Sequence, residues 1–154
     1  MGFFQIKRRQ FIRASIEEVW DFMSSPHNLK RITPEHMRFD VLSKGLPQRI
    51  HEGMIICYRV RPLPFFNVKW LTEITHVREG SFFVDEQRVG PYRLWHHQHH
   101  LKEVDGGVEM LDVVTYEPPL KLLGSFANAL FIRSKLNEIF DFREFALNFI
   151  FKDD

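Results

Sequence analysis

The sequence predicts an α+β domain in which an antiparallel sheet packs against one long C-terminal helix. Between residues 38 and 116, short runs rich in β-branched and aromatic residues are separated by turn signals such as "REGS" and "VDGG". Over residues 121–150, apolar residues recur at three- and four-residue spacing without proline, which is typical of a helix. A sheet and a helix of these lengths can bury their apolar faces against each other, which predicts a two-layer arrangement.

The N-terminal part of the chain is predicted to contain one strand and two short helices. Residues 3–12, "FFQIKRRQFI", alternate in part and form the first strand. Ser15 followed by Glu18 is a capping-box pattern, which opens a helix over "SIEEVWDFMSS". Pro26 suits the first position of a second short helix, "PHNLKRI", and Pro34 ends it.

Six further strands follow from alternation and turn residues, and they are predicted over 38–43, 53–61, 68–78, 81–88, 92–103 and 108–116. Taking Glu79-Gly80 as a two-residue turn places Ile74 opposite Asp85 across the third and fourth of these strands. On the long helix, four aromatic residues are predicted to face the core: Phe140, Phe142, Phe145 and Phe149.

Strand 92–103 contains four histidines within five residues. Because strand side chains alternate between faces, His97 and His99 share a face with Trp95. His96 and His100 lie on the other face, which is polar and is predicted to be in water. The histidines therefore divide into an inner pair and an outer pair.

The next hairpin supports this division. A two-residue turn at 105–106 fixes the register between the last two strands. It aligns four pairs on the presumed inner face: Leu101 with Met110, His99 with Asp112, His97 with Val114, and Trp95 with Tyr116. The predicted interior is thus apolar with a few polar groups, which is the usual makeup of a small-molecule site. The ligand-binding residues predicted in this way are Tyr58, Trp70, Thr72, Asp85, Gln87, Trp95, His97, His99, Asp112 and Tyr116.

A metal site is an alternative for the inner histidines. His97 and His99 could reach one ion, with Asp112 as a third ligand or as a group that orients them. No fourth ligand follows from the spacing, and a bare HxH pattern is a weak signal. The sequence therefore predicts no metal and no cofactor.

Acid–base catalysis is another alternative for the same interior. A histidine opposite an aspartate can be held in one tautomer and can transfer protons near neutral pH. His97, His99 and Asp112 are the candidate catalytic residues, and burial beside an apolar strand would raise the pKa of Asp85.

Composition limits the classes of partner. The 154 residues fit one domain over 1–154, and a net charge of +1 with no recognisable nucleic-acid motif argues against a nucleic-acid partner. The single cysteine, Cys57, excludes an internal disulfide and falls on the outer face of its strand. No apolar run is long enough to cross a bilayer, and the chain is expected to be cytoplasmic. The sequence carries no signal for an oligomeric state.

Several local patterns together resemble a known family: "ASIEEVWDFMSSPHNLKRITP", "WLTEI", "FVDEQRVGPY", "WHHQHHL" and "IFDFRE". In this order they are similar to the START-like, Bet v 1-like (SRPBCC) helix-grip superfamily, in its bacterial ligand-binding and polyketide cyclase/dehydrase-like branch. The resemblance covers nearly the whole chain. It implies a seven-stranded antiparallel sheet that grips the C-terminal helix, with an apolar cavity between them.

The leading functional hypothesis is binding of a hydrophobic small molecule, lipid-, polyketide- or aromatic-like, in that cavity. The apolar walls would supply affinity and the inner polar groups orientation. One alternative is a cyclase, dehydratase or isomerase that uses the inner histidines and Asp112 as acid and base. Another is a protein-interaction module whose pocket has collapsed. All three fit a fold that hosts unrelated functions.

Overall fold

The computed structural model describes residues 3–63, 66–118 and 125–152. These residues form seven strands: β1 (Phe4–Ile12), β2 (Asp40–Val41), β3 (Ile55–Leu63), β4 (Phe66–Arg78), β5 (Phe82–Val89), β6 (Leu94–Val104) and β7 (Gly107–Glu117). They also form two α-helices, α1 (Ile16–Met23) and α2 (Ser125–Ile150), and two 3-10 helices, Pro26–Ile32 and Glu35–Met37.

The strands make one curved antiparallel sheet in the order β1-β7-β6-β5-β4-β3-β2. Strands β3 to β7 are consecutive neighbours, while β1 returns to pair with β7. Strands β6 and β7, eleven residues each, lie near the β1 edge and carry His97, His99 and Asp112. The α+β helix-grip architecture predicted from the sequence is confirmed.

The register between β6 and β7 is the one that the turn at 105–106 predicts. Val104 pairs with Gly107, His99 with Asp112, and Trp95 with Tyr116. Gly106 has a φ of 78°, a conformation that glycine adopts without a steric penalty. This turn therefore fixes which face of β6 is buried.

The turn between β4 and β5 differs from the prediction. Arg78 pairs with Phe82, so residues 79–81 form a three-residue loop and Glu79-Gly80 is not a two-residue turn. A register shift between Ile74 and His76 then offsets this extra residue. Ile74 consequently faces Asp85 as predicted, although by a different route. Three-residue hairpin loops with glycine at a positive φ are common, and Gly80 has a φ of 68°.

The N-terminal helices follow the sequence closely. The Ser15 side chain accepts a hydrogen bond from the Glu18 amide, and the Glu18 carboxylate accepts one from the Ser15 amide. Helix α1 buries Trp20 at the end of the core formed with Phe83, Leu101 and Met110. The predicted second helix is a 3-10 helix with Pro26 in its first turn.

Helix α2 is continuous from 125 to 150, as predicted for that range, and residues 121–124 lie outside the described part of the chain. Its sheet-facing residues recur at three- and four-residue spacing: Leu136, Phe140, Arg143, Ala146 and Leu147. The prediction that Phe145 and Phe149 face the core is wrong, because both point away from that stripe and are 68% and 72% exposed. Phe140 is buried and Phe142 is half-buried. Neither α-helix of the described residues combines the length and apolarity needed to cross a bilayer.

Candidate functional site

Cross-strand pairing brings the predicted inner residues onto one face of the sheet. Asp85 pairs directly with His97, and His99 pairs with Asp112. These four residues lie on three adjacent strands, β5, β6 and β7. Directly opposed residues lie close enough for their side chains to interact, so the pairing forms a compact polar cluster.

In this central cluster each imidazole lies between two carboxylates. Nε2 of His97 is 3.0 Å from Oδ1 of Asp112, and Nδ1 of His97 is 3.5 Å from Oδ2 of Asp85. Nε2 of His99 is 2.9 Å from the same Asp85 oxygen, and Nδ1 of His99 is 2.8 Å from Oδ1 of Asp112. The two ring centroids are 3.8 Å apart. His97, His99 and Asp112 are buried, and Asp85 is nearly so.

A fifth charged residue joins the cluster from the helix. Nη1 of Arg143 is 3.8 Å from Oδ1 of Asp112, and the guanidinium carbon lies 5.2 Å from the centroid of the Phe140 ring. Nε and Nη1 of Arg143 are buried and form no hydrogen bond within the described residues. The sequence prediction did not include this arginine. Arg143 lies between Phe140 and Leu147 at helical spacing, and this spacing was the signal that could have placed it on the buried stripe.

The surroundings move the pKa values of the two histidines in opposite directions. Burial lowers the pKa of His97, and the charge of His99 lowers it further, against the two carboxylates. Burial also opposes protonation of His99, but Asp112 and Asp85 outweigh it and raise the pKa of His99. Of the two imidazoles, His99 is therefore the one whose protonated form the surroundings favour.

Both carboxyl groups are held in the ionised form. Burial by itself raises the pKa of Asp85, but the charge of His97 and the hydrogen bond with His99 outweigh it, and the pKa is lowered. The prediction of a raised pKa for Asp85 is therefore wrong, because it counted burial without the neighbouring cations. Burial likewise opposes ionisation of Asp112, yet interactions with both histidines hold its pKa well below the usual range.

An aromatic group from β4, β6, β7 and the loop before β6 adjoins the central cluster. The Trp95 ring is 5.2 Å from that of Trp70, 4.9 Å from that of Tyr92 and 6.0 Å from the His97 imidazole. Trp70, Tyr92 and Trp95 are half-buried, whereas Tyr116 beneath them is fully buried. The Tyr116 hydroxyl forms no hydrogen bond within the described residues. Tyr92 was not predicted, because a strand over 92–103 places it on the outer face with His96, whereas β6 begins at Leu94 and Tyr92 lies in the loop before it.

The remaining predicted residues lie farther along the same face. Tyr58 and Thr72 are buried, and Tyr58 packs against Phe39 with ring centroids 4.8 Å apart. Burial, followed by the charge of Asp85, raises the pKa of Tyr58 and keeps it neutral. The Gln87 side chain binds the backbone of the loop before β6. It donates a hydrogen bond to the Tyr92 carbonyl at 2.6 Å and accepts one from the Tyr92 amide at 3.2 Å.

The outer face of β6 carries a different kind of network. Nδ1 of His96 is 2.9 Å from Oε1 of Glu86, and Gln98 contacts both His96 and His100. These side chains are partly exposed, and His96 keeps 31% of its side chain accessible. The predicted division of the histidines into an inner and an outer pair is reproduced by the structure.

Two open grooves lie away from the central cluster. One, of about 640 Å³, runs between the segment Pro34–Arg38 and the α2 residues Glu138 and Phe142. The other, of about 500 Å³, follows the exposed side of α2 from Leu130 to Asp141. Neither is lined by the inner polar residues, so the grooves and the central cluster are separate features.

The central cluster contains groups able to hold a metal ion. Ligand atoms of Asp85, His97 and His99 all lie within 4.8 Å of one another. Among the described residues these three side chains converge from two neighbouring strands, so the backbone pairing itself holds them together.

No family model matches the chain, and no curated protein matches it in sequence. Solved structures do resemble it in fold. The Zhui aromatase/cyclase from Streptomyces sp. R1128 has a TM-score of 0.72 at 11% identity, covering 95% of this chain and 92% of the other. Ara h 8.0201 has a TM-score of 0.62 at 12% identity, with 95% and 98% covered. TTHA0849 from Thermus thermophilus has a TM-score of 0.68 at 16% identity, with 93% and 96% covered. The chain therefore shares its overall fold, a curved antiparallel sheet around a long C-terminal helix, with these solved structures.

Proposed function

We propose that the protein binds a hydrophobic small molecule that carries a hydrogen-bond acceptor. One observation carries this proposal: the half-buried rings of Tyr92 and Trp95 pack against the ring of the buried Tyr116, whose hydroxyl lacks a partner among the described residues. A buried hydroxyl without a partner costs roughly 1–3 kcal/mol. An acceptor on a ligand that enters between the aromatic rings would remove this cost.

The chemistry of the neighbouring groups agrees with such a ligand. Aromatic rings supply large apolar contact area, and a few fixed polar groups orient the bound molecule. Further potential donors in this interior are Nε and Nη1 of Arg143, which form no hydrogen bond among the described residues. A flat aromatic or polyketide-like compound with a carbonyl, phenolate or carboxylate satisfies both requirements.

Native mass spectrometry of the purified protein, before and after organic extraction, tests the proposal directly. We expect a mass difference from a co-purified compound that extraction removes. Binding can also be followed with the anionic aromatic dye 8-anilinonaphthalene-1-sulfonate as the probe. Losing one large buried contact costs about 1.5–3 kcal/mol, so Trp95→Ala should weaken dye binding about tenfold or more.

A matched control uses an exposed aromatic residue on the same sheet. Phe11 is 46% exposed, and Phe11→Ala should leave the dye affinity unchanged. Equal affinities for Trp95→Ala, Phe11→Ala and the parent protein, together with no extractable compound, would refute binding at the aromatic group.

An enzyme is the second candidate, and the opposite pKa shifts of His97 and His99 favour it. Titratable neighbours whose pKa values are pushed apart can serve as acid and base. The corresponding reaction would be a cyclisation, dehydration or isomerisation in which one imidazole removes a proton and the other returns it. Turnover of the extracted compound by the parent protein but not by His97→Ala, with dye binding retained, would establish this candidate over simple binding.

A further inference from the structure

We propose that Asp85, His97 and His99 form a binding site for one divalent first-row metal ion. The sequence predicts no metal because only His97, His99 and Asp112 could be aligned and a fourth ligand was absent. The structure offers Asp85 as the third ligand, and Asp112 keeps the orienting role that the sequence analysis gave as its alternative. Three protein ligands with an open fourth position are the usual arrangement of a metal site that also takes a small molecule.

The distances fit an ion between the three side chains. An ion bound tetrahedrally at about 2.1 Å from each ligand holds the ligand atoms roughly 3.4 Å apart. Oδ2 of Asp85 is 3.5 Å from Nδ1 of His97 and 2.9 Å from Nε2 of His99. The ligand atoms of the three residues all lie within 4.8 Å of one another, so side-chain rotation can close them around one ion while the backbone pairing of β5 with β6 stays as it is.

Asp112 orients both histidines from the opposite side. Its Oδ1 is 3.0 Å from Nε2 of His97 and 2.8 Å from Nδ1 of His99, the two nitrogens that face away from Asp85. Metal-bound histidines almost always give their second N–H to a carboxylate, a carbonyl or a water, which fixes the ring and its tautomer. One carboxylate serves both rings here. The Nδ1 of His99 is also buried without a hydrogen bond among the described residues, so a small reorientation on metal binding would improve its contact with Asp112.

The charges define what the open position would take. With a divalent ion and neutral imidazoles, the ion and Arg143 supply three positive charges against the two carboxylates of Asp85 and Asp112. One surplus positive charge in a buried site favours an anionic oxygen as the fourth ligand. Mixed imidazole and carboxylate ligands suit ions such as Zn²⁺, Fe²⁺ and Co²⁺. An anionic oxygen bound to the ion would therefore also lie near the buried hydrogen-bond donors of the cluster.

The test uses untagged protein freed of metal by chelation and then titrated with Co²⁺, followed by its visible absorption, with Zn²⁺ as competitor. We expect saturation at one equivalent and displacement by Zn²⁺. His97→Ala, His99→Ala and Asp85→Asn should each abolish saturable binding. Asp112→Asn keeps all three ligands and should weaken Co²⁺ binding by about 10–100-fold.

The outer histidines provide the matched control. The double variant His96→Ala with His100→Ala removes two imidazoles from the same strand and should bind Co²⁺ like the parent protein. Binding lost in this control but retained in Asp85→Asn would overturn the proposal. So would parent protein that takes up no saturable equivalent of Co²⁺ or Zn²⁺, a result that does not depend on any variant folding. Dye binding at Trp95 is a separate readout, so failure of the metal site and failure of the proposed ligand site are distinguishable.

Discussion

The two faces of strand β6 carry the same residue type in opposite surroundings. On the inner face, His97 and His99 are 4% and 5% exposed and lie between two carboxylates. On the outer face, His96 and His100 contact Glu86 and Gln98 and remain partly in water. Four clustered histidines therefore need not form one site. Because side chains alternate along the strand, His97 and His99 point into the interior and His96 and His100 point into a solvated network.

Removing the Asp112 carboxylate should give the largest difference in stability between a change on the inner face and a change on the outer face. Asp112→Ala removes the buried carboxylate that Arg143 and both inner histidines share, and breaking such a buried pair costs about 3–5 kcal/mol. The outer equivalent, Glu86→Ala, breaks a partly exposed pair and should cost at most about 1 kcal/mol. Urea unfolding of both variants measures the difference. Similar losses for the two would show that the inner cluster is not electrostatically distinct.

Truncating the histidines themselves should give an intermediate effect. His97→Ala or His99→Ala leaves buried carboxylate oxygens without partners, at a cost of about 1–3 kcal/mol. His96→Ala and His100→Ala should stay within about 0.5 kcal/mol, as for ordinary surface changes. The free energies of unfolding of the four single variants, measured in the presence of a chelator, decide the matter. Equal small losses in all four would mean that the cluster is only a histidine-rich strand.

The smallest expected effect is a difference in acid sensitivity. The folded-state pKa of Asp112 is lowered, so its ionised form stabilises the fold above the unfolded value of about 3.9. This stabilisation is lost as the pH falls through the lower, folded pKa. Below about pH 4 the free energy of unfolding should therefore fall more steeply for the parent protein than for Asp112→Asn, by at most about 1.4 kcal/mol per pH unit. Parallel curves in chelator-containing buffer would contradict the lowered pKa.

Local sequence signals predicted the parts of the site that lie within one hairpin. The turn at 105–106 is enough to align His99 with Asp112, because a two-residue loop leaves one register. The contact between Asp85 and His97 was not predicted. It depends on the pairing of β5 with β6, which are joined by the loop around Gly90 and Tyr92, and a loop of that length has no register signal of its own.

Helix α2 likewise has features that its local sequence did not predict. Its existence follows from the spacing of apolar residues, yet sixteen phenylalanines in the chain make several stripes of α2 look apolar. Packing against the sheet selected the stripe through Phe140 and Leu147 and left Phe145 and Phe149 exposed. The same packing places Arg143 next to the Asp112 carboxylate.

The sequence by itself determined the fold class, the hairpin register and the inner and outer faces of β6. These follow from backbone periodicities of two and 3.6 residues, which each segment carries within itself. Only the tertiary structure decided that Asp85 and Arg143 join His97, His99 and Asp112, and that the two imidazoles have opposite pKa shifts. Such properties arise from distances between segments far apart in the chain, and burial strengthens the charge interactions over those distances.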